Sequence, residues 1–153
     1  AVAPFYGPHD FANLDPDREL SNCANDKEMI HDMEGTPETK LLDCSPTFSS
    51  CPDLVAEASP ITYVDASDPP SFLVHGLEDC TIAPNQSVRM ADALSATGVP
   101  TYLSLVPEAG HNSSQCVQFG ELVIPLRAFF DRYVRNCDTE KFLEDFVVQA
   151  GAE

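Results

Sequence analysis

Residues 71–84 read Ser-Phe-Leu-Val-His-Gly-Leu-Glu-Asp-Cys-Thr-Ile-Ala-Pro. The run from Ser71 to His75 is apolar and β-rich, stops at Gly76, and gives way after Pro84 to apolar residues at helical spacing. That order predicts a strand, a loop and a helix, with Asp79 in the crossover loop. A second apolar strand, residues 101–106, runs out through Pro107-Glu108-Ala109-Gly110 to His111. Open parallel sheets carry their chemistry on loops of this kind, beyond the carboxyl ends of the strands. The reading brings an acid and a base onto neighbouring loops.

Outward from this pair, Val2 to Tyr6 is apolar and is ended by Gly7-Pro8, which predicts a third buried strand over 2–6. Residues 84–97 carry Val88, Met90, Ala91, Ala93 and Leu94 and stop before Gly98, the pattern of a covering helix with proline in its first turn. Residues 117–133 repeat Val117, Phe119, Leu122, Val123, Leu126, Phe129, Phe130 and Tyr133 at three- and four-residue steps, a strong amphipathic helix whose aromatics belong to the core. A last short helix is expected over 139–148. Residues 11–57 are irregular, with short helical stretches near 26–34, 37–42 and 52–58. The fold class is α/β, with parallel strands near 2–6, 71–75 and 101–106 flanked by helices.

Taken together, these residues resemble the C-terminal part of an α/β-hydrolase. Strand, His75-Gly76, Asp79, Pro84, helix, strand and Gly110-His111 stand in that family's order, and the segments 1–10 and 58–70 look like the sixth strand and the approach to the seventh. Within the superfamily the likeness is to carboxylesterases of the lipase and feruloyl-esterase kind. The resemblance implies that Asp79 and His111 are the acid and base of a Ser-Asp-His triad, and that Asp10 stabilises the turn after the first strand. It also implies that 11–57 is a cap-like excursion within a single, incomplete domain spanning 1–153.

The family's Gly-x-Ser-x-Gly elbow is absent: the seven glycines are Gly7, Gly35, Gly76, Gly98, Gly110, Gly120 and Gly151, and no two are four positions apart. Ser113 and Ser114 adjoin His111 but sit on no elbow and are not taken as nucleophiles. The nucleophile and oxyanion hole are therefore expected on an upstream polypeptide, with a small carboxylic ester as substrate. Two further readings stay open. One is a peptidase portion of the prolyl-oligopeptidase kind; the other is a non-catalytic binding or assembly subunit that has lost the elbow.

With 25 acidic and 8 basic side chains, the net charge of −17 opposes binding to nucleic acid or anionic membranes. No apolar run approaches the roughly 20 residues of a spanning helix. Six cysteines without a metal-ligand spacing read as disulfides in a secreted or periplasmic protein. Cys44 and Cys51 could close a small loop, a Cys80–Cys116 bond would tie the acid loop to the base loop, and Cys23 and Cys137 are left by elimination or pair elsewhere. No cofactor is implied. The four histidines, His9, His31, His75 and His111, are scattered without ligand spacing. His9 and His31 read as surface or turn residues and His75 as strand-end packing. The sequons at Asn85 and Asn112 are expected to be unused.

Overall fold

In the computed structural model, which describes residues 1–21, 30–111 and 120–148, two parallel strands form the centre. β1 (Ser71–Gly76) pairs in register with β2 (Thr101–Val106), from Ser71 opposite Thr101 to Gly76 opposite Val106. Every residue of β1 is buried, as a central parallel strand covered on both faces requires. Side chains alternate across the sheet. Phe72 and Val74 join Tyr102, Leu122, Ala128, Phe129 and Leu143 on one face, whereas Leu73 joins Ala91, Leu94 and Val99 on the other.

The helices follow from these faces. α4 (Asn85–Ala96) covers the Leu73 side and α5 (Gly120–Arg135) covers the Phe72 side. Phe72 and Phe129 are fully buried, with ring centroids 5.7 Å apart in an edge-on contact. Truncating either ring to alanine in such a core costs about 3–5 kcal/mol.

The expected first strand is present as an extended segment bridged to β1 at Val2–Ser71 and Phe5–Val74, both parallel. Val2 N–H donates to Pro70, Phe72 N–H to Val2, Val74 N–H to Pro4, and Tyr6 N–H to Val74. Pro4 has no N–H to offer back, so the ladder breaks into two isolated bridges instead of one continuous strand.

The excursion contains α1 (Leu14–Glu19), α2 (Pro37–Leu41), α3 (Pro52–Ala58) and 3-10 turns at Phe11–Asn13 and Phe48–Ser50, and a further 3-10 turn at Pro60–Tyr63 follows it before β1. Thr36 caps α2 by accepting from Thr39 N–H, with Pro37 in the first turn. A separate cluster of Phe11, Leu14, Cys44, Phe48, Val55 and Ile82 packs this segment onto the loop after β1. Gln86 of α4 adds a polar tie. Its Oε1 accepts from the N–H groups of His9 and Asp10, and its Nε2 donates to Asp10 O and to Asp17 Oδ2.

Several expectations need correcting. Residues 31–34 form bends and a turn, not a helix, because Asp15 takes the N–H groups of His31 and Asp32; of the expected helix over 26–34, residues 26–29 lie outside the described set. α1 was not anticipated. Pro84 is the cap before α4, not its first residue. Residues 139–148 form two 3-10 turns, Glu140–Phe142 and Glu144–Phe146, and then Val147 pairs antiparallel with Tyr102. Pairing with the β2 edge thus displaces the expected helix.

Cys44 and Cys51 are bonded as the spacing suggested. Cys80 is also disulfide-bonded, but Cys23 and Cys116 fall outside the described residues. Cys137 is exposed and free, which overturns a Cys23–Cys137 bond: its thiol stands in solvent beyond the end of α5.

Candidate functional site

β1 ends at Gly76, and the loop that follows turns back so that Glu78 N–H donates to Ala109 O at 2.9 Å and Leu77 N–H to Val106 O at 2.9 Å. These bonds join the loop that carries Asp79 to the loop that leads to His111. Glu108, in the left-handed region at φ 58°, makes the turn that sends the chain through Ala109 and Gly110 to His111.

The side chain of Asp79 is fully buried. Its Oδ1 accepts from Thr81 N–H at 2.9 Å and Ile82 N–H at 3.0 Å, the local turn that aspartate favours. Its Oδ2 lies 2.8 Å from His111 Nδ1 and 3.2 Å from His75 Nε2. Burial pushes this carboxyl towards protonation, but the hydrogen bonds from His75, Ile82 N–H and His111 outweigh it and hold the pKa below the usual aspartate value. An ionised carboxylate in this position fixes the proton of His111 on Nδ1. The other ring nitrogen, Nε2, is then left with its lone pair on the far side of the imidazole, as a general base requires. The His111 side chain is 34% exposed, against 0% for Asp79, so the pair presents its basic end outward from a buried anchor.

His75 does more than pack the strand end. It is fully buried, and its Nε2 faces both Ile82 O at 2.8 Å and the Asp79 carboxylate, so that nitrogen carries a proton. Its Nδ1 lies 2.7 Å from the hydroxyl of buried Ser87, which occupies the hydroxyl of the Asn85 sequon. Asp79 is thereby held from two sides. His9 and His31 are likewise buried, at 6% and 4% exposure, not at the surface as their loop positions suggested. Asp10 accepts from Asn13 Nδ2 at 2.7 Å, in keeping with a turn role.

Tyr6 was missed by the sequence reading. Its ring centroid is 5.5 Å from that of His111 and 6.3 Å from that of His75, and its backbone is left-handed at φ 47°, a conformation that costs a bulky residue energy and often marks a working site. The signal was available: Tyr6 ends an expected strand parallel to β1, hence at the same carboxyl edge as Asp79.

The BD-FAE family model matches residues 1–94, a span that includes Asp79 and ends before His111. The chain is 33% identical over 113 residues to Esterase LipQ of Mycobacterium tuberculosis, covering 72% of this chain and 23% of that protein. It is 32% identical over 109 residues to Dipeptidyl-peptidase 5 of Porphyromonas endodontalis, covering 69% of this chain and 14% of that one. It therefore spans under a quarter of the length of these relatives. Among solved structures, a truncated carbohydrate esterase from gut microbiota superposes with a TM-score of 0.63 at 26% identity, over 92% of this chain and 40% of the other. A puromycin hydrolase shares the fold, with a TM-score of 0.64 at 20% identity over 87% of this chain and 18% of that one. With its parallel sheet, flanking helices and matched family segment, the chain belongs to the BD-FAE family of α/β-hydrolase-type hydrolases and esterases.

Proposed function

We propose that this chain contributes the acid and base of a serine carboxylesterase acting on small carboxylic esters, with Asp79 and His111 as triad members and the serine and oxyanion hole carried by an upstream polypeptide. The observation that carries the proposal is the 2.8 Å contact of His111 Nδ1 with an Asp79 carboxylate that two backbone N–H groups already hold. In this reading His111 Nε2 takes the serine hydroxyl proton as the oxygen bonds to the ester carbonyl carbon. The same proton passes to the departing alkoxide as the carbon–oxygen bond breaks and an acyl-enzyme forms. Water then repeats the sequence, with His111 again as base and then acid. Asp79 stabilises the imidazolium at each stage without taking the proton.

The domain reading is part of the same proposal: 1–153 as one incomplete hydrolase domain, with 11–57 as the cap that shapes the substrate wall. The Cys44–Cys51 bond fits an exported protein. No helix among the described residues is long and apolar enough to cross a membrane.

The relationship to Dipeptidyl-peptidase 5 favours one second reading, in which the same acid and base cleave an amide. Parallel assays of matched ester and amide substrates on the native protein, with a fluorophosphonate serine probe and intact-mass analysis, decide between them. The ester reading expects probe labelling on a Gly-x-Ser-x-Gly polypeptide and ester turnover at least tenfold above amide turnover. Absence of both a labelled serine and any turnover in native material would remove it and favour a binding or assembly subunit.

A further inference from the structure

His31 lies in the excursion, away from the pair just described, yet its side chain is only 5% exposed. Both of its ring nitrogens meet oxygens. Nδ1 is 2.9 Å from Asp15 Oδ1 on α1, and Nε2 is 2.8 Å from the carbonyl oxygen of Thr81 on the acid loop. A carbonyl only accepts. The Asp15 carboxylate also accepts, since it already takes the backbone N–H groups of His31 and Asp32 at 2.8–3.2 Å. A neutral imidazole has one N–H and would leave a lone pair facing one of these acceptors. The arrangement is satisfied only by an imidazolium.

Thr81 connects this contact to the site, because its N–H donates to Asp79 Oδ1 at 2.9 Å. The peptide unit of Thr81 C=O and Ile82 N–H, whose N–H also donates to Asp79 Oδ1 at 3.0 Å, is therefore all that separates the His31 ring from the Asp79 carboxylate.

We propose that His31 is a positioning residue: its imidazolium pins the acid loop, through Thr81, to the Asp15 carboxylate of α1 and so sets the orientation of Asp79 towards His111. This rests on the reading of Asp79 and His111 as the acid and base.

The charges around the ring agree. Burial alone would disfavour the cation, but the Asp15 hydrogen bond, the fields of Glu38 on α2 and Asp15 on α1, and the Thr81 carbonyl together raise the pKa of His31 above its usual value. Asp15 is correspondingly lowered: burial opposes this, but the hydrogen bonds from His31 and Asp32 prevail. Arg18 Nε, 3.9 Å from Asp15 Oδ1, is the cation on that side. A raised pKa means that the clamp is complete at low pH and is lost as pH rises through the folded value.

The test is ¹⁵N NMR of the histidine rings in the native protein, with pH profiles of kcat and KM. The expected result is that His31 carries both ring protons at pH 7, where a free histidine of pKa about 6.5 is mostly neutral. His31→Gln should shift the His111 Nδ1–H resonance and lower kcat about ten- to a hundredfold, with KM within about twofold. Asp15→Asn should keep the fold and move the His31 titration, and the alkaline limb of kcat with it, to lower pH. A singly protonated His31 at pH 7, or a His111 resonance unmoved by His31→Gln, would overturn the clamp. The NMR arm needs no substrate, so failure of the esterase reading would show as absent turnover with the His31 titration intact.

Discussion

A β-carbon on Gly76 would stand 2.2 Å from the carbonyl oxygen of Ala109, the oxygen that accepts the N–H of Glu78. The end of β1 and the loop leading to His111 are therefore in backbone contact, with no space for a side chain between them. Glycine is required at this point for close approach, not for an unusual φ. Because Asp79 lies three residues beyond Gly76 and His111 two beyond Ala109, the same contact sets how far apart the loops of Asp79 and His111 stand.

Gly76→Ala should separate these loops or unfold them. The obstructing atoms are backbone, at 2.2 Å and 2.7 Å, so relaxation cannot be confined to one side chain. The expected loss is about 2–4 kcal/mol of stability, read from denaturant midpoints. A displaced His111 ring resonance should accompany it in whatever fraction remains folded. A stable variant with an unchanged His111 signal would contradict the packing argument.

His111→Ala tests the proposed base. The side chain is one-third exposed and sits beyond β2, so the fold should survive, as judged by an unchanged circular dichroism spectrum. In native material that carries the nucleophile, kcat should fall by roughly four to six orders of magnitude. A near-normal rate would remove His111 from the mechanism.

Asp79→Asn should reduce kcat about 10⁴-fold by turning the wrong donor towards His111. It should also destabilise the fold by about 1–3 kcal/mol, because the new amide would point N–H groups at the protonated nitrogens of His75 and His111. A surface aspartate would show neither effect.

His9 governs part of the response to acid. Its ring is buried and its Nε2 lacks a hydrogen-bond partner among the described residues. Burial, and secondarily the field of His75, lower its pKa to about 4 from an ordinary 6.5. The unfolded chain therefore binds a proton that the folded chain refuses between these values. Stability should fall as pH drops from 6.5 to 4, by about 3 kcal/mol from this group. His9→Gln should flatten that slope. Asp79 and Asp15, both held below the usual aspartate value, add a further loss below pH 4.

The Cys44–Cys51 bond closes a short loop, with a sequence separation of 7, around buried Phe48. Replacing both cysteines with serine should cost about 2–3 kcal/mol by the loop-entropy relation, measured as a lowered unfolding midpoint.

The local grammar of the chain determined the central elements. Unbroken apolar runs at 71–75 and 101–106, each ended by a loop, and three- and four-residue spacing in 84–97 and 117–133, are properties of neighbouring residues, so β1, β2, α4, the loop positions of Asp79 and His111, and α5 over 120–133 were legible, residues 117–119 lying outside the described set. The short Cys44–Cys51 bond was legible for the same reason. What the tertiary structure alone decided depends on residues remote along the chain. Periodicity at Phe142, Leu143, Phe146 and Val147 suited a helix until the edge of β2 offered Val147 a partner. His31 looked like a loop histidine because Thr81, 50 positions away, is invisible from its neighbours. Tyr6 against His111 and His75 against the Asp79 carboxylate are of the same kind. Sequence pattern reports which face of an element is apolar, whereas the state of a buried polar group is set by which acceptors the folded chain brings to it.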